Sequence, residues 1–329
     1  MNPFEYQRAD QPDMAVKATA GAKQAKFLAG GTNLVDLMKN GVEKPDKLID
    51  INRLALSRIE PLPNGGLRLG ALARNADTAN HPLVRRQYPL LSQAILSGAS
   101  PQLRNLATNG GNLLQRTRCP YFMDVAFPQC NKRNPGSGCD AREGFHRTHA
   151  IFGASDDCIA VHPSDMCVAL AALEANIRVR GPHGERTIAI SEFHRLPGST
   201  PQIDTDLRPD ELILSIDLPP SRYAAHSHYL KVRDRASYDF ALVSVAAALD
   251  LDSGQVRSAR LVLGGVAHKP WRVAAAENAL NGQKATMQLF EAAAQQSVAG
   301  AKPYPQNAFK VGLAKRAMVR ALAIAGGVS

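Results

Sequence analysis

The chain has 329 residues, 45% of them hydrophobic, and carries a net charge of +10 from 39 Lys and Arg against 29 Asp and Glu. That length is enough to bury two or three cores, and it contains no run of 18 apolar residues that could cross a membrane. The basic excess is dispersed, aromatics are only 5%, and no nucleic-acid module is recognisable, so neither nucleic acid nor a membrane is an expected partner.

Residues 1–26 have no apolar h-region and no secretory cleavage pattern, which makes the cytoplasm the default compartment. A short apolar strand at 26–29 then runs into Gly30-Gly31-Thr32-Asn33, and a helix is predicted over 34–40 with its stop at Gly41. Strands are predicted at 48–51 and 66–70, and helices at 81–96 and 164–175. Alternating strands follow at 177–180 and 212–216, and Pro219-Pro220 breaks the chain. Beyond the break, 240–251 and 257–266 read as strands, and 271–280 and 308–325 as helices. The alternation predicts a mixed α/β fold, with a second, smaller α/β domain starting near residue 220.

Two glycine pairs suit binding chemistry. In Leu28-Ala29-Gly30-Gly31-Thr32-Asn33-Leu34 the missing Cβ atoms let backbone N–H groups approach an anion at a helix start, as a pyrophosphate would need. In Thr108-Asn109-Gly110-Gly111-Asn112 a second bare stretch is flanked by side chains that can bond a phosphate, a ribose or a ring edge. Either pair alone reads more readily as a tight turn than as a binding motif. Neither is G-x-G-x-x-G, and no P-loop lysine is present.

All five cysteines lie between Cys119 and Cys167, four of them in a segment of about 115–158 rich in Pro and Gly and without helical or strand periodicity. Structureless loops of that length in compact domains are usually functional or disordered. Ten, eight and eighteen residues separate Cys119, Cys130, Cys139 and Cys158. Zinc knuckles use closer pairs, whereas an iron–sulfur cluster tolerates wide spacing, so spacing puts a cluster first and leaves zinc or unrelated buried thiols open. Cys167 falls inside the 164–175 helix and reads as a small core residue. His146, His149 and His162, in or beside the loop, read as loop histidines rather than catalytic bases, and no nucleophile–base–orienter set is visible.

The ordered motifs AGGTNL, RNLATNGGNL, HPSDMCVALAALEA, ELILSIDLP, YLKVRDRASYDFALVSVAAAL and LVLGGVAHKPWRVAAAE resemble those of the FAD-binding subunits of the xanthine dehydrogenase and aldehyde oxidase group of molybdenum hydroxylases. The insertion QRTRCPYF…CNKRNPGSGC…DDCIAVHPSDM resembles that of the periplasmic aldehyde oxidoreductase members. A comparable insertion in the related 4-hydroxybenzoyl-CoA reductase carries an extra 4Fe–4S cluster. The resemblance implies a PCMH-type FAD-binding fold of two α/β subdomains over 1–219, with the Cys-rich insertion at about 115–158. It also implies a C-terminal α/β domain of the CO-dehydrogenase flavoprotein type over 220–329.

By the same resemblance, Phe27, Leu28, Ala29, Gly30, Gly31, Thr32, Asn33 and Leu34 would wrap the FAD pyrophosphate, and Thr108, Gly111 and Asn112 would complete the phosphate and ribitol site. Asp165 would contact the adenosine side, Ile213 the flavin ring, and Lys231 would be the flavin-site lysine. Cys119, Cys130, Cys139 and Cys158 would hold a 4Fe–4S cluster. Asn33 departs from the usual Asp, and Asn109 from a small or apolar residue; both changes spare the backbone cradle.

The implied function is that of an electron-transfer flavoprotein subunit. Substrate would be hydroxylated on a large molybdenum subunit, and electrons would pass through a small 2Fe–2S subunit to FAD and an external acceptor. Such subunits reach the periplasm by co-export with a partner. Two other readings stand beside this one, a stand-alone FAD oxidase of the vanillyl-alcohol type and a zinc-bearing binding module.

Overall fold

The computed structural model describes residues 1–20, 22 and 24–328, and among these the strands form three sheets. The first is a parallel sheet in which Lys47–Asp50 lies between Glu5–Arg8 and Ala25–Leu28. Parallel neighbours need a crossover, and the helix Leu34–Lys39 supplies the one from Ala25–Leu28 to Lys47–Asp50. The strand–glycine–helix expectation for residues 26–40 is therefore met, and Gly41 ends the helix at φ +72°.

The second sheet is antiparallel, with Leu67–Gly70, Leu212–Leu218 and Asn176–Gly181 at its centre and Ile59–Pro61 and Gly184–Ala189 at its edges. Its inner residues Leu67, Leu69, Ile177, Val179, Ile216 and Leu218 are buried with residues of the helices Pro89–Ser97 and Asp165–Ala172 in one core. The run expected as one helix at 81–96 is two, Pro82–Gln87 and Pro89–Ser97, joined through Tyr88. Pro89 has no N–H to continue the first helix and suits the first position of the second.

The third sheet is antiparallel, in the order Trp271–Arg272, Gln255–Gly264, Val243–Asp252, Ser227–Val232. The strand Val243–Asp252 is apolar as far as Leu249, Ser244 apart, because both its faces are covered there. Ala246 and Ala248 point into the core shared with the second sheet, while Val245, Ala247 and Leu249 point into a core built with Ala274–Leu280, Met287–Ser297 and Phe309–Gly326. Trp271 and Arg272, expected to open a helix, pair instead with Leu263 and Val262, and the helix starts at Ala274.

The cysteine segment is irregular, as its composition predicts. Its longest regular piece is the single turn Pro120–Met123. No helix among the described residues is long and apolar enough to cross a membrane.

Candidate functional site

The two glycine motifs meet. A Cβ added to Gly30 would lie 2.1 Å from the carbonyl oxygen of Leu106, so the first loop can approach the second only as glycine. Gly31 takes φ +73°, a left-handed conformation that favours glycine. Phe27, Leu28, Ala29, Thr32, Asn33 and Leu34 are half-buried along the same turn. The Asn33 carboxamide oxygen accepts from the N–H of Arg116 at 3.0 Å, while its Nδ2 is buried without a partner.

The second motif is braced from behind. Thr108 caps the turn Asn109–Leu113, its hydroxyl accepting from the N–H of Gly111 at 3.1 Å. Fully buried Asn109 donates to Gly70 O at 3.2 Å and Thr78 Oγ1 at 2.9 Å, and accepts from Asn75 Nδ2 at 3.1 Å. That network accounts for the unusual residue at 109, since an amide is needed there to satisfy Gly70, Asn75 and Thr78. Asn112 donates to Asn75 Oδ1 at 2.7 Å and accepts from Ser164 and Gln115, while Gly111 stays exposed. Asn75 and Thr78 carry no sequence signal of their own.

Asp165 and Lys231, 66 residues apart, form a pair with Nζ–Oδ2 2.8 Å, and Tyr229 Oη donates to the other carboxylate oxygen at 2.7 Å. Ile213 lies in the core beneath the second sheet, 4% exposed. A cavity of about 140 Å³ is lined by Ser164, Asp165, Cys119, Thr117, His149 and Ser244. A cleft of about 1410 Å³ is lined by neither glycine motif.

Cys119, Cys130, Cys139 and Cys158 line one small enclosed cavity, and none is in a disulfide. Backbone N–H groups converge on their sulfurs: Tyr121 and Phe122 on Cys119, Ala141, Arg142 and Ile159 on Cys139, and Ala160 on Cys158. Burial pushes the Cys119 thiol up to about 12 and Cys158 up to about 11, with further repulsion between the sulfurs. Buried sulfurs held by N–H donors require a positive centre to be thiolates at neutral pH. The four are not gathered within 4.8 Å of one another among the described residues. A single tetrahedral zinc would need sulfurs about 3.8 Å apart.

The segment is anchored independently of these thiols. Lys132 donates to Pro201 O at 2.6 Å and to Asp204 at 2.5 Å, and Arg116 joins Asp204 at 2.8 Å to Glu43 at 2.6 Å. Lys132 and Arg116 hold the Asp204 carboxyl far below its usual range, against the burial that opposes ionisation most strongly. His149 sits 3.1 Å from Cys119 Sγ, burial lowers it to about 4, and Lys310 donates to its carbonyl at 2.8 Å. His146 accepts from the N–H of Gln306 at 3.2 Å.

The FAD binding domain in molybdopterin dehydrogenase matches residues 2–221, and the CO dehydrogenase flavoprotein C-terminal domain matches 228–325. The chain is 52% identical over 324 residues to the aldehyde oxidoreductase FAD-binding subunit PaoB of Escherichia coli, covering 98% of each. It is 29% identical to the glyceraldehyde dehydrogenase medium chain of Sulfolobus acidocaldarius over 85% of this chain and 82% of that one. Its structure superposes on carbon monoxide dehydrogenase from Hydrogenophaga pseudoflava with TM-score 0.77 at 27% identity, over 99% of this chain and 98% of that one.

Proposed function

The chain belongs to the family of FAD-binding medium subunits of molybdenum hydroxylases, and from that premise we propose that it is the electron outlet of an aldehyde-oxidising complex. The carrying observation is 52% identity along the whole chain to an aldehyde oxidoreductase FAD-binding subunit. A large molybdenum subunit hydroxylates the aldehyde, a small 2Fe–2S subunit passes the electrons on, and an external acceptor removes them here.

The residues fit FAD. A glycine approach that a Cβ would block, an exposed Gly111 backbone and the unpartnered Nδ2 of Asn33 are what a pyrophosphate cradle needs. Phe27 to Leu34 with Thr108, Gly111 and Asn112 hold the phosphates and ribitol, while Asp165, Lys231 and Ile213 back the far side. Bound FAD supplies one- and two-electron chemistry at one ring system. This chain's own residues orient the cofactor, keep the Asp165–Lys231 charges out of water and fix the cradle through Asn75, Thr78 and Asn109.

The residues also fit a 4Fe–4S cluster on Cys119, Cys130, Cys139 and Cys158. Supporting this are one shared cavity, six N–H donors to sulfur and a gathering looser than zinc requires. The division into 1–219 and 220–329, and passage to the periplasm in company with a partner subunit, belong to the same reading. Anaerobic purification of the complex tests it. Expected are extractable FAD, iron and acid-labile sulfide beyond the 2Fe–2S content, bleaching of the flavin bands by aldehyde, and activity in the periplasmic fraction. A complex without flavin, or one that aldehyde leaves fully oxidised, would overturn the reading.

A further inference from the structure

We propose a mononuclear zinc-class metal site on His162, Cys167 and His194, separate from the four loop cysteines. One donor atom from each of the three lies within 4.8 Å of the other two. They come from three segments: the chain just after the cysteine loop, the first turn of Asp165–Ala172, and the residue capping the short helix Ile190–Phe193.

The hydrogen bonding around them leaves donors aimed at nothing. His194 Nε2 lies 2.9 Å from the carbonyl of Leu113 and so carries the proton, which leaves Nδ1 as a lone pair, buried and unpartnered. A ligating imidazole is normally oriented in this way, by a carbonyl on its other nitrogen. His162 Nε2 is likewise buried and unpartnered, and the two rings lie 4.2 Å apart between centroids. Cys167 is fully buried in the turn capped by Ser164. Packing alone explains a buried cysteine, but it gives no partner to two imidazole nitrogens in the same place, and leaving such groups unpaired is costly.

The donor set selects the metal. Two imidazoles and one thiolate suit a borderline-soft ion such as zinc. Bonds of about 2.0–2.3 Å require donors roughly 3.3–3.8 Å apart, a closure of at most about 1.5 Å from the 4.8 Å within which the three donors lie. On binding, the Cys167 thiol gives its proton to solvent and its sulfur to the metal, leaving one net positive charge. His162 also lines the 140 Å³ cavity, so a water can take the fourth position from that side. The site would tie the second glycine motif, through Leu113, to the end of the cysteine loop.

The test is metal analysis of the full-length protein, purified with its partners from zinc-supplemented medium without chelator. One zinc per chain is expected. Cys167→Ala and His162→Gln should each lose it while flavin and iron content stay unchanged, and Cys130→Ser should keep it. His162 lies half-buried at the cavity edge, so His162→Gln keeps the test open should loss of Cys167 disturb the core. With cobalt in place of zinc, thiolate-to-cobalt charge transfer should be present in the wild type and absent in Cys167→Ala. No zinc in the wild type, or zinc that survives both substitutions, overturns the site. Zinc lost with Cys130→Ser but kept in Cys167→Ala would place it in the loop, overturning this site and the cluster together.

Discussion

Lys231 reaches Asp165 across 66 residues with Nζ–Oδ2 2.8 Å, their side chains 4% and 8% exposed. Tyr229 on the same strand and the Ser97 carbonyl complete the bonding of this pair. Removing one partner of such a pair leaves a buried charge, which costs about 3–5 kcal/mol. Asp165→Asn should therefore lower unfolding free energy by about 3 kcal/mol in chemical denaturation. Asp165→Leu combined with Lys231→Met should recover most of that loss. Full stability in the single variant would show that water reaches the pair.

Gly30→Ala should abolish flavin retention, because the new Cβ would sit 2.1 Å from Leu106 O and drive the two loops apart. Gly41→Ala is the control. Gly41 takes a left-handed φ of +72°, which Gly30 does not, yet nothing lies within 4 Å of an added Cβ, so strain of about 1 kcal/mol is the whole effect. Flavin per chain after gel filtration reads both, and equal flavin in the two variants would contradict the contact.

The first glycine turn was legible because strand, turn and helix signals fall consecutively in residues 26–41. Asn109 was not, since its partners Thr78, Asn75 and Gly70 come from a helix and a strand end more than 30 residues away. Pro89 should have split the 81–96 helix on its chemistry alone, but the apolar period carried across it. Trp271 and Arg272 misled because an edge strand of two residues is too short to show alternation. The cysteine segment announced its irregularity and its four thiols. Its anchors did not show, because Lys132, Asp204 and Arg116 are brought together only by the tertiary path of the loop.

Acid should unfold this protein in two stages. Burial, aided by Lys132, lowers His268 to about 4, so above pH 6.5 it is neutral folded and unfolded alike. As pH falls from about 6.5 toward 4, the unfolded chain takes up a proton that the folded chain refuses, and stability drops. That difference between the folded and unfolded chain amounts to about 3 kcal/mol. Asp204 acts lower down, its folded carboxyl being far below the usual value of about 3.9, so its contribution is intact above that pH and lost only beneath it. Denaturation of His268→Leu at pH 7 and pH 4.5 should show a flatter acid limb than the wild type. An unchanged slope would mean that His268 titrates normally.

On the proposed reading of the four loop cysteines as cluster ligands, Cys130→Ser decides whether such a cluster relays electrons or only staples the loop, provided the loop keeps its place without it. The structure gives reason to expect that it does. Lys132 is bonded to Pro201 and Asp204, Asn307 Nδ2 donates to the carbonyls of His149 and Ala150 at 3.2 Å, and Lys310 holds Thr148 and His149, none of them through sulfur. The variant should thus assemble with its partners, retain FAD and lose iron and sulfide from this chain alone. Aldehyde-driven flavin reduction by stopped flow then reads the relay directly. Reduction slowed tenfold or more would put the loop cysteines on the electron path. Reduction at the wild-type rate in a folded complex would leave them a structural clasp off the electron path.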